Sequence, residues 1–358
     1  MQLILGIIYH FFGGFASGSF YVPYKKVKGW AWESLWIAGG IFSWLLIPFV
    51  AAWLTIPNFI EIIKHADAHT IAITYVFGAL WGIGGLTYGL GVRYLGVALG
   101  STIILGLCSV FGSLMPSIYY NFFPSAGHDS LHDLLTNKWG QVVLIGILIC
   151  VAGIVVCGKA GILKDKDLQK KAELKKAEEY KIGLGLTVAI ISGILSACFA
   201  FGIDAGKSMA NEANDLWKVT HTGEGEFLFQ NNVTYIIILL GGLTTNFIWC
   251  MILNARNKTF GDYVNTKTPL VKNYLFCALA GTTWFLQFFF YGMGESRLGN
   301  GASSWILHMA FIILVANLWG LALKEWKGVQ RKTYVTLLSG IALIILSVLI
   351  VGYGNSLK

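Results

Sequence analysis

Apolar residues run in ten blocks of about 17–24 along this chain, at roughly 3–23, 35–54, 70–90, 97–120, 139–157, 182–204, 232–254, 273–293, 301–323 and 334–352, with polar residues gathered between them. A helix of ~20 such residues spans the hydrocarbon of a bilayer. The pattern therefore predicts an all-α membrane protein with ten transmembrane helices. Gly14, Ser17 and Phe20 in span one recur as Gly193, Ser196 and Phe199 in span six. Phe77-Gly-Ala-Leu-Trp-Gly82 in span three returns as Phe276-Cys-Ala-Leu-Ala-Gly281 in span eight, and Leu95-Gly96 as Leu298-Gly299. That order predicts two five-helix repeats, residues 1–157 and 182–358, joined by a linker at 158–181. An odd number of spans threads the second copy upside down. Inverted repeats of this kind are common in transporters, whose sites lie near the membrane midplane where the repeats meet.

Charge sets the orientation. Twenty of the 26 Lys and Arg fall in odd-numbered connections and five in even ones. Short cytoplasmic loops carry the excess of positive residues, so the odd loops and the linker are expected in the cytoplasm and both termini outside. Charged residues make up 12% and hydrophobic ones 56%, whereas soluble domains carry ~25% charged residues. The net charge of +8 suits juxtamembrane contact with anionic lipid; no basic stripe interleaved with aromatics suggests nucleic acid. Lys25, Lys26 and Lys28 follow the first block rather than precede it, so residues 3–23 are expected to be a retained span. Leu163, Leu168, Leu174 and Ala177 give the linker the pattern of a short surface helix. The six cysteines all lie in apolar runs and read as small buried hydrophobes. Gly82, Gly85 and Gly89 on span three, and Gly96 and Gly100 on span four, mark expected close helix approach. Trp30, Trp32, Trp36, Trp326 and Tyr353, near span ends, read as an interfacial belt.

Ionisable groups inside spans are costly and point to function by default. His10 lies midway along span one, on a face with Gly14, Ser17 and Tyr21, and His308 lies in span nine beside Trp305 and Gly301. Both are candidates for proton coupling, since imidazole titrates near neutrality; interhelical hydrogen bonding is the other reading. Trp284, Gln287 and Tyr291 share a face of span eight, and Trp81 and Tyr88 sit in span three. With Trp305, they supply the flat rings and polar groups that a sugar requires, although packing within the bundle also explains them. Asp204, at the outer end of span six, reads as a proton carrier or as a partner of Lys207. Glu33 suits the N-terminus of span two, and Arg93 fits the cytoplasmic end of span three. Glu295 and Arg297 fall in the short loop after span eight. His128, Asp129, His132 and Asp133 cluster in an outer loop without metal-type spacing, so no metal is expected.

Enzymatic templates are missing: there is no phosphate-cradling loop, nucleophile elbow or H-E-x-x-H. Without ATP or another cofactor, an ion gradient must supply the energy. One proton moving through ~150 mV supplies ~3.4 kcal/mol, or about 300-fold accumulation.

Several stretches resemble one family. They are Phe20-Tyr-Val-Pro-Tyr-Lys-Lys-Val-Lys28 with Trp30-Ala-Trp-Glu-Ser34, Phe77-Gly-Ala-Leu-Trp-Gly-Ile-Gly84, Tyr88-Gly-Leu with Arg93-Tyr-Leu-Gly96, Trp284-Phe-Leu-Gln-Phe-Phe-Phe-Tyr291, Ser304-Trp-Ile-Leu-His-Met309 and Leu323-Lys-Glu-Trp326. From about residue 4 to 350 the chain resembles the L-rhamnose–proton symporters. The resemblance implies the drug/metabolite transporter superfamily and proton-coupled uptake of L-rhamnose or a similar deoxy sugar across the bacterial inner membrane. His10, Lys25, Lys26, Glu33, Arg93, Gln287 and His308 lie inside the matching stretches. Asp204, Glu295 and the outer loop 205–231 depart from the family's pattern. Two alternatives stay open: a drug or metabolite exporter of the same fold, and a membrane enzyme on lipid-linked sugars built on the outer-loop His and Asp cluster. The oligomeric state is not written in the sequence.

Overall fold

The computed structural model describes residues 2–95, 97–124, 128–169, 182–324 and 326–358. Among the described residues, ten helices are long and apolar enough to cross a membrane: Gln2–Tyr24, Trp32–Thr55, Ala68–Leu95, Leu99–Phe122, Lys138–Asp167, Gly183–Ala205, Asn232–Asn257, Leu270–Leu298, Gly301–Ala322 and Arg331–Ser356. They are called spans one to ten below. Large apolar side chains such as Trp53 (70% exposed), Leu148 (70%) and Leu349 (64%) face outward. Such surface is stable only against lipid, so the chain is a multi-pass membrane protein.

Several spans outrun their apolar blocks, because a helix continues until a stop signal. Span eight ends before Gly299, whose φ of +62° provides the left-handed turn that terminates helices. Span five continues to Gln169, so the first part of the linker extends this helix and forms no separate surface helix. Gly96 and the linker's 170–181 lie outside the described residues.

The chain packs as two compact units: Met1–Ile7, Gly84–Ala200 and Leu298–Lys358 form unit one, and Ile8–Ile83 and Phe201–Arg297 form unit two. In unit one, spans five and ten bury Val143, Ile147, Ile154, Leu337, Ile344 and Val351 against each other, with Ile306 and Phe311 of span nine. Unit two has an apolar core around Ile62, Met209, Phe227 and Ile236.

Two packing expectations are corrected. A Cβ at Gly85 or Gly89 would meet nothing within 4 Å, whereas Gly78 and Gly241 let spans three and seven approach at backbone distance. Gly82, against the Gly242 backbone of span seven, and Gly100, against Gly91 and Val92 of span three, do mark close approach as expected; Gly85 and Gly89 do not. Trp30 and Trp36 are no interfacial belt. The Trp30 ring lies 4.9 Å from that of Tyr274, and Trp36 donates its indole N–H to Asn246 Oδ1 at 3.0 Å. Their neighbours come from spans seven and eight, which local position near a span end does not reveal. Trp326 lies under the Lys164 ammonium at 4.8 Å.

Span two contains a π-helical turn, Phe42–Leu46, closed by the Ile47 N–H on the Phe42 carbonyl. Pro48 explains it: proline has no N–H to reach the Trp44 carbonyl, and its ring crowds that oxygen. The extra residue in the turn relieves the crowding and rotates Trp44 inward, where it is 3% exposed. π-Turns are rare and concentrate at functional sites.

Candidate functional site

In unit two, three tryptophans meet. Trp44, Trp81 and Trp284 each stand at the centre of their own spans. The Trp81 and Trp284 ring centroids are 5.6 Å apart. Trp44 lies edge-on to both, at 6.4 Å from Trp81 and 5.9 Å from Trp284. Gly40 provides the room for the Trp44 ring, since a Cβ there would overlap it. The Trp44 Nε1–H is buried with no hydrogen-bond partner among the described residues. A buried donor without a partner costs ~1–3 kcal/mol, which makes this group one that a ligand can satisfy. A recess lined by Phe20, Tyr24, Trp36, Ser43, Trp44 and Trp284 adjoins it, with no room for a water molecule. Gln287 is 5% exposed and donates Nε2–H to the Trp284 carbonyl at 2.9 Å, leaving its Oε1 as the acceptor on that face.

One turn beyond Gln287, the Tyr291 ring packs edge-on to His10 at 5.3 Å. Both residues are buried. Unit two thus brings together Trp81, Trp284, Gln287, Tyr291 and His10, with Trp44 as a member that helical periodicity missed. The other predicted residues belong to unit one. Trp305 donates its indole N–H to the Cys108 carbonyl at 3.0 Å, in the space left by Gly112. Pro116 removes the backbone donor that would reach the Gly112 carbonyl. The buried hydroxyls of Ser113, Ser303 and Ser304 have no hydrogen-bond partner among the described residues. His308, one turn after Ser304, is 1% exposed. Tyr88 is bonded through its hydroxyl to Ser101 Oγ at 2.7 Å.

Polar networks close both ends of unit two. At one end, Glu33 Oε1 accepts from Thr259 Oγ1 at 2.8 Å and Asn257 Nδ2 at 3.0 Å. Asp262 Oδ2 accepts from Ser34 Oγ and the Ala31 N–H, both at 2.8 Å. Glu33, a secondary candidate in the sequence, thus ties the start of span two to the end of span seven. At the other end, Lys207, expected beside Asp204, lies 3.8 Å from Glu295 Oε1, and Asn231 Nδ2 donates to Glu295 Oε2 at 2.8 Å. Lys207 opens a helix, Lys207–Lys218, inside the connection between spans six and seven; its buried face is Met209, Ala210, Ala213 and Asn214. Glu295 itself is inside span eight rather than in a loop. Arg93 is exposed at the end of span three.

The acids in the connection between spans four and five are engaged structurally. Asp129 accepts from Asn300 Nδ2 at 2.6 Å and from Lys358 Nζ at 2.7 Å. Asp133 and Ser130 form the capping box of the helix Leu131–Thr136, and donation by Ser130 holds the Asp133 carboxyl below its usual range. His128 stacks on Tyr120 at 4.0 Å.

Among the described residues, ten membrane-length apolar helices, with polar indole and hydroxyl groups buried inside them, define a polytopic membrane protein. Comparison with known proteins narrows this. Residues 1–357 match the family described as L-rhamnose-proton symport protein (RhaT). The L-rhamnose-proton symporters of Pectobacterium atrosepticum and of Yersinia pestis strain Pestoides F are each 36% identical over 357 residues, covering 98% of this chain and 98% of theirs. The chain belongs to the L-rhamnose–proton symport protein family, and is a transporter rather than an enzyme.

Proposed function

We propose that this protein imports L-rhamnose together with protons across the bacterial inner membrane, with both termini outside and the linker in the cytoplasm. Family membership supports the chemistry of the cargo. The observation that carries the site is the meeting of Trp44, Trp81 and Trp284 at mid-span, the depth at which transporters hold their substrates. A deoxy sugar offers C–H faces to indole rings and hydroxyls to an amide, a phenol or a serine. Trp44 Nε1, Gln287 Oε1 and Tyr291 provide such groups in unit two, and Trp305, Tyr88 and the serines of spans four and nine in unit one. His10 and His308 hand on the proton, since imidazole gains and loses one near neutral pH. No cofactor is involved, and the proton gradient supplies the work.

Proteoliposomes test this directly. Labelled L-rhamnose should accumulate under an inward proton gradient, and a protonophore should abolish the accumulation. Gradient-independent equilibration, or no uptake of rhamnose at all, would refute the reading.

A further inference from the structure

Glu295 is a carboxylate within a membrane span, and it is only 8% exposed. Its compensation is partial. One oxygen accepts a hydrogen bond from Asn231 Nδ2 at 2.8 Å. The other faces the Lys207 ammonium at 3.8 Å, beyond hydrogen-bond contact, and that ammonium is 27% exposed. Burying a carboxylate inside a span is costly, and a single hydrogen bond with a loose counter-ion offsets that cost only in part.

Its neighbours are two tyrosine hydroxyls and an imidazole. Tyr291 precedes Glu295 by one helical turn, so both side chains share a face, and the carboxylate acts electrostatically on the Tyr291 and Tyr235 hydroxyls. Gly294 and Gly292 keep the region compact. A Cβ at Gly294 would come within 2.7 Å of His10 Nε2, and one at Gly292 within 2.9 Å of the Tyr235 hydroxyl. The His10 ring therefore rests on the backbone next to Glu295, against Tyr291. Other charged groups lie on the packed elements. Asp204, at the end of span six, also acts on Tyr291. Arg297 donates to the Glu226 carbonyl at 2.9 Å, and the Glu226 carboxylate accepts from Gln230 Nε2 at 2.9 Å.

We infer that Glu295 is the site where this chain carries its co-transported proton, with Lys207 as the counter-ion that is released when the proton binds. In the charged state Glu295 holds Lys207 and Asn231. A proton from the outer water then forms an O–H bond on Oε1, the oxygen facing Lys207, and the ammonium loses its partner and turns to water. Deprotonation toward the cytoplasm restores the pair. His10, whose ring rests on the backbone beside the carboxyl, hands that proton on, and Tyr291 is a positioning residue for the exchange. The inference deepens the symport reading and rests on it for the direction of transport, but the protonation of Glu295 stands apart from the identity of the sugar.

Two measurements separate the cases. In pH-induced infrared difference spectra of the purified full-length protein, a protonated-carboxyl C=O band should be present, should move in E295D and should vanish in E295Q. In proteoliposomes, E295Q should reduce gradient-driven L-rhamnose accumulation from up to about 300-fold toward equality of the two sides, with a much smaller loss of gradient-free rhamnose exchange; E295D should restore coupling. An unchanged carboxyl band in E295Q, or undiminished accumulation by that variant, overturns the assignment. So does equal loss of exchange and accumulation in both variants, which marks Glu295 as structural. Failure of the unmodified protein to exchange rhamnose refutes the sugar reading instead, and leaves the infrared result to decide on Glu295.

Discussion

Glu33 and Thr259 meet across 226 residues of sequence, the threonine hydroxyl donating to the carboxylate at 2.8 Å. Asn257 donates to the same oxygen. Removing the carboxylate leaves two donors at a site where Glu33 is 4% exposed. Glu33→Ala is expected to lower stability by about 1–3 kcal/mol, read as a fall in the melting temperature of the detergent-solubilised protein. Glu33→Gln keeps an acceptor oxygen and should lose less. Its pH profile of uptake should match that of the unmodified protein, because the hydrogen bonds at this carboxylate tie helices together.

Trp44 gives a prediction of opposite sign for stability and for function. Its buried N–H has no partner among the described residues, so Trp44→Phe removes an unmet donor at the cost of some ring area. Melting temperature should hold or rise. The KM for rhamnose should rise several-fold, in line with the ~1 kcal/mol of a typical hydrogen bond. An unchanged KM would take Trp44 out of the sugar site.

Asp133 predicts a pH effect at the membrane surface. Ser130 donates to its carboxylate from both Oγ and the backbone N–H, at 2.6 and 2.9 Å, and the folded carboxyl is held below its ordinary range. A folded value below the unfolded one stabilises the protein above the unfolded value. That stabilisation is lost as pH falls through the folded value. Melts between about pH 3 and 7 should show this acid-side loss, and Asp133→Asn should lack that component. At neutral pH the variant should be less stable by about 1 kcal/mol or less, since the site is close to water.

The spans were legible because a bilayer demands an unbroken apolar length and each block supplied it. The gathering of Trp81, Trp284 and Gln287 was legible because regular helices preserve the 3.6-residue register that groups their faces. Trp44 was not, because its π turn breaks that register, and the only local sign was Pro48 four residues on. Lys207 as the partner of Glu295 was hidden for another reason. The helix that carries it buries small residues, Ala210 and Ala213, and reads in sequence as a polar loop. The bonds of Glu33 come from residues 257 and 259, which no local pattern connects to the start of span two.

Indoles as close as those of Trp44, Trp81 and Trp284 share electronic excitation. A sugar that enters among them must push the rings apart, and the light they emit will shift with their separation. With the sugar at the proposed site, the protein carries its own optical gauge of occupancy, and cargo binding should be read by ultraviolet emission without attaching a dye.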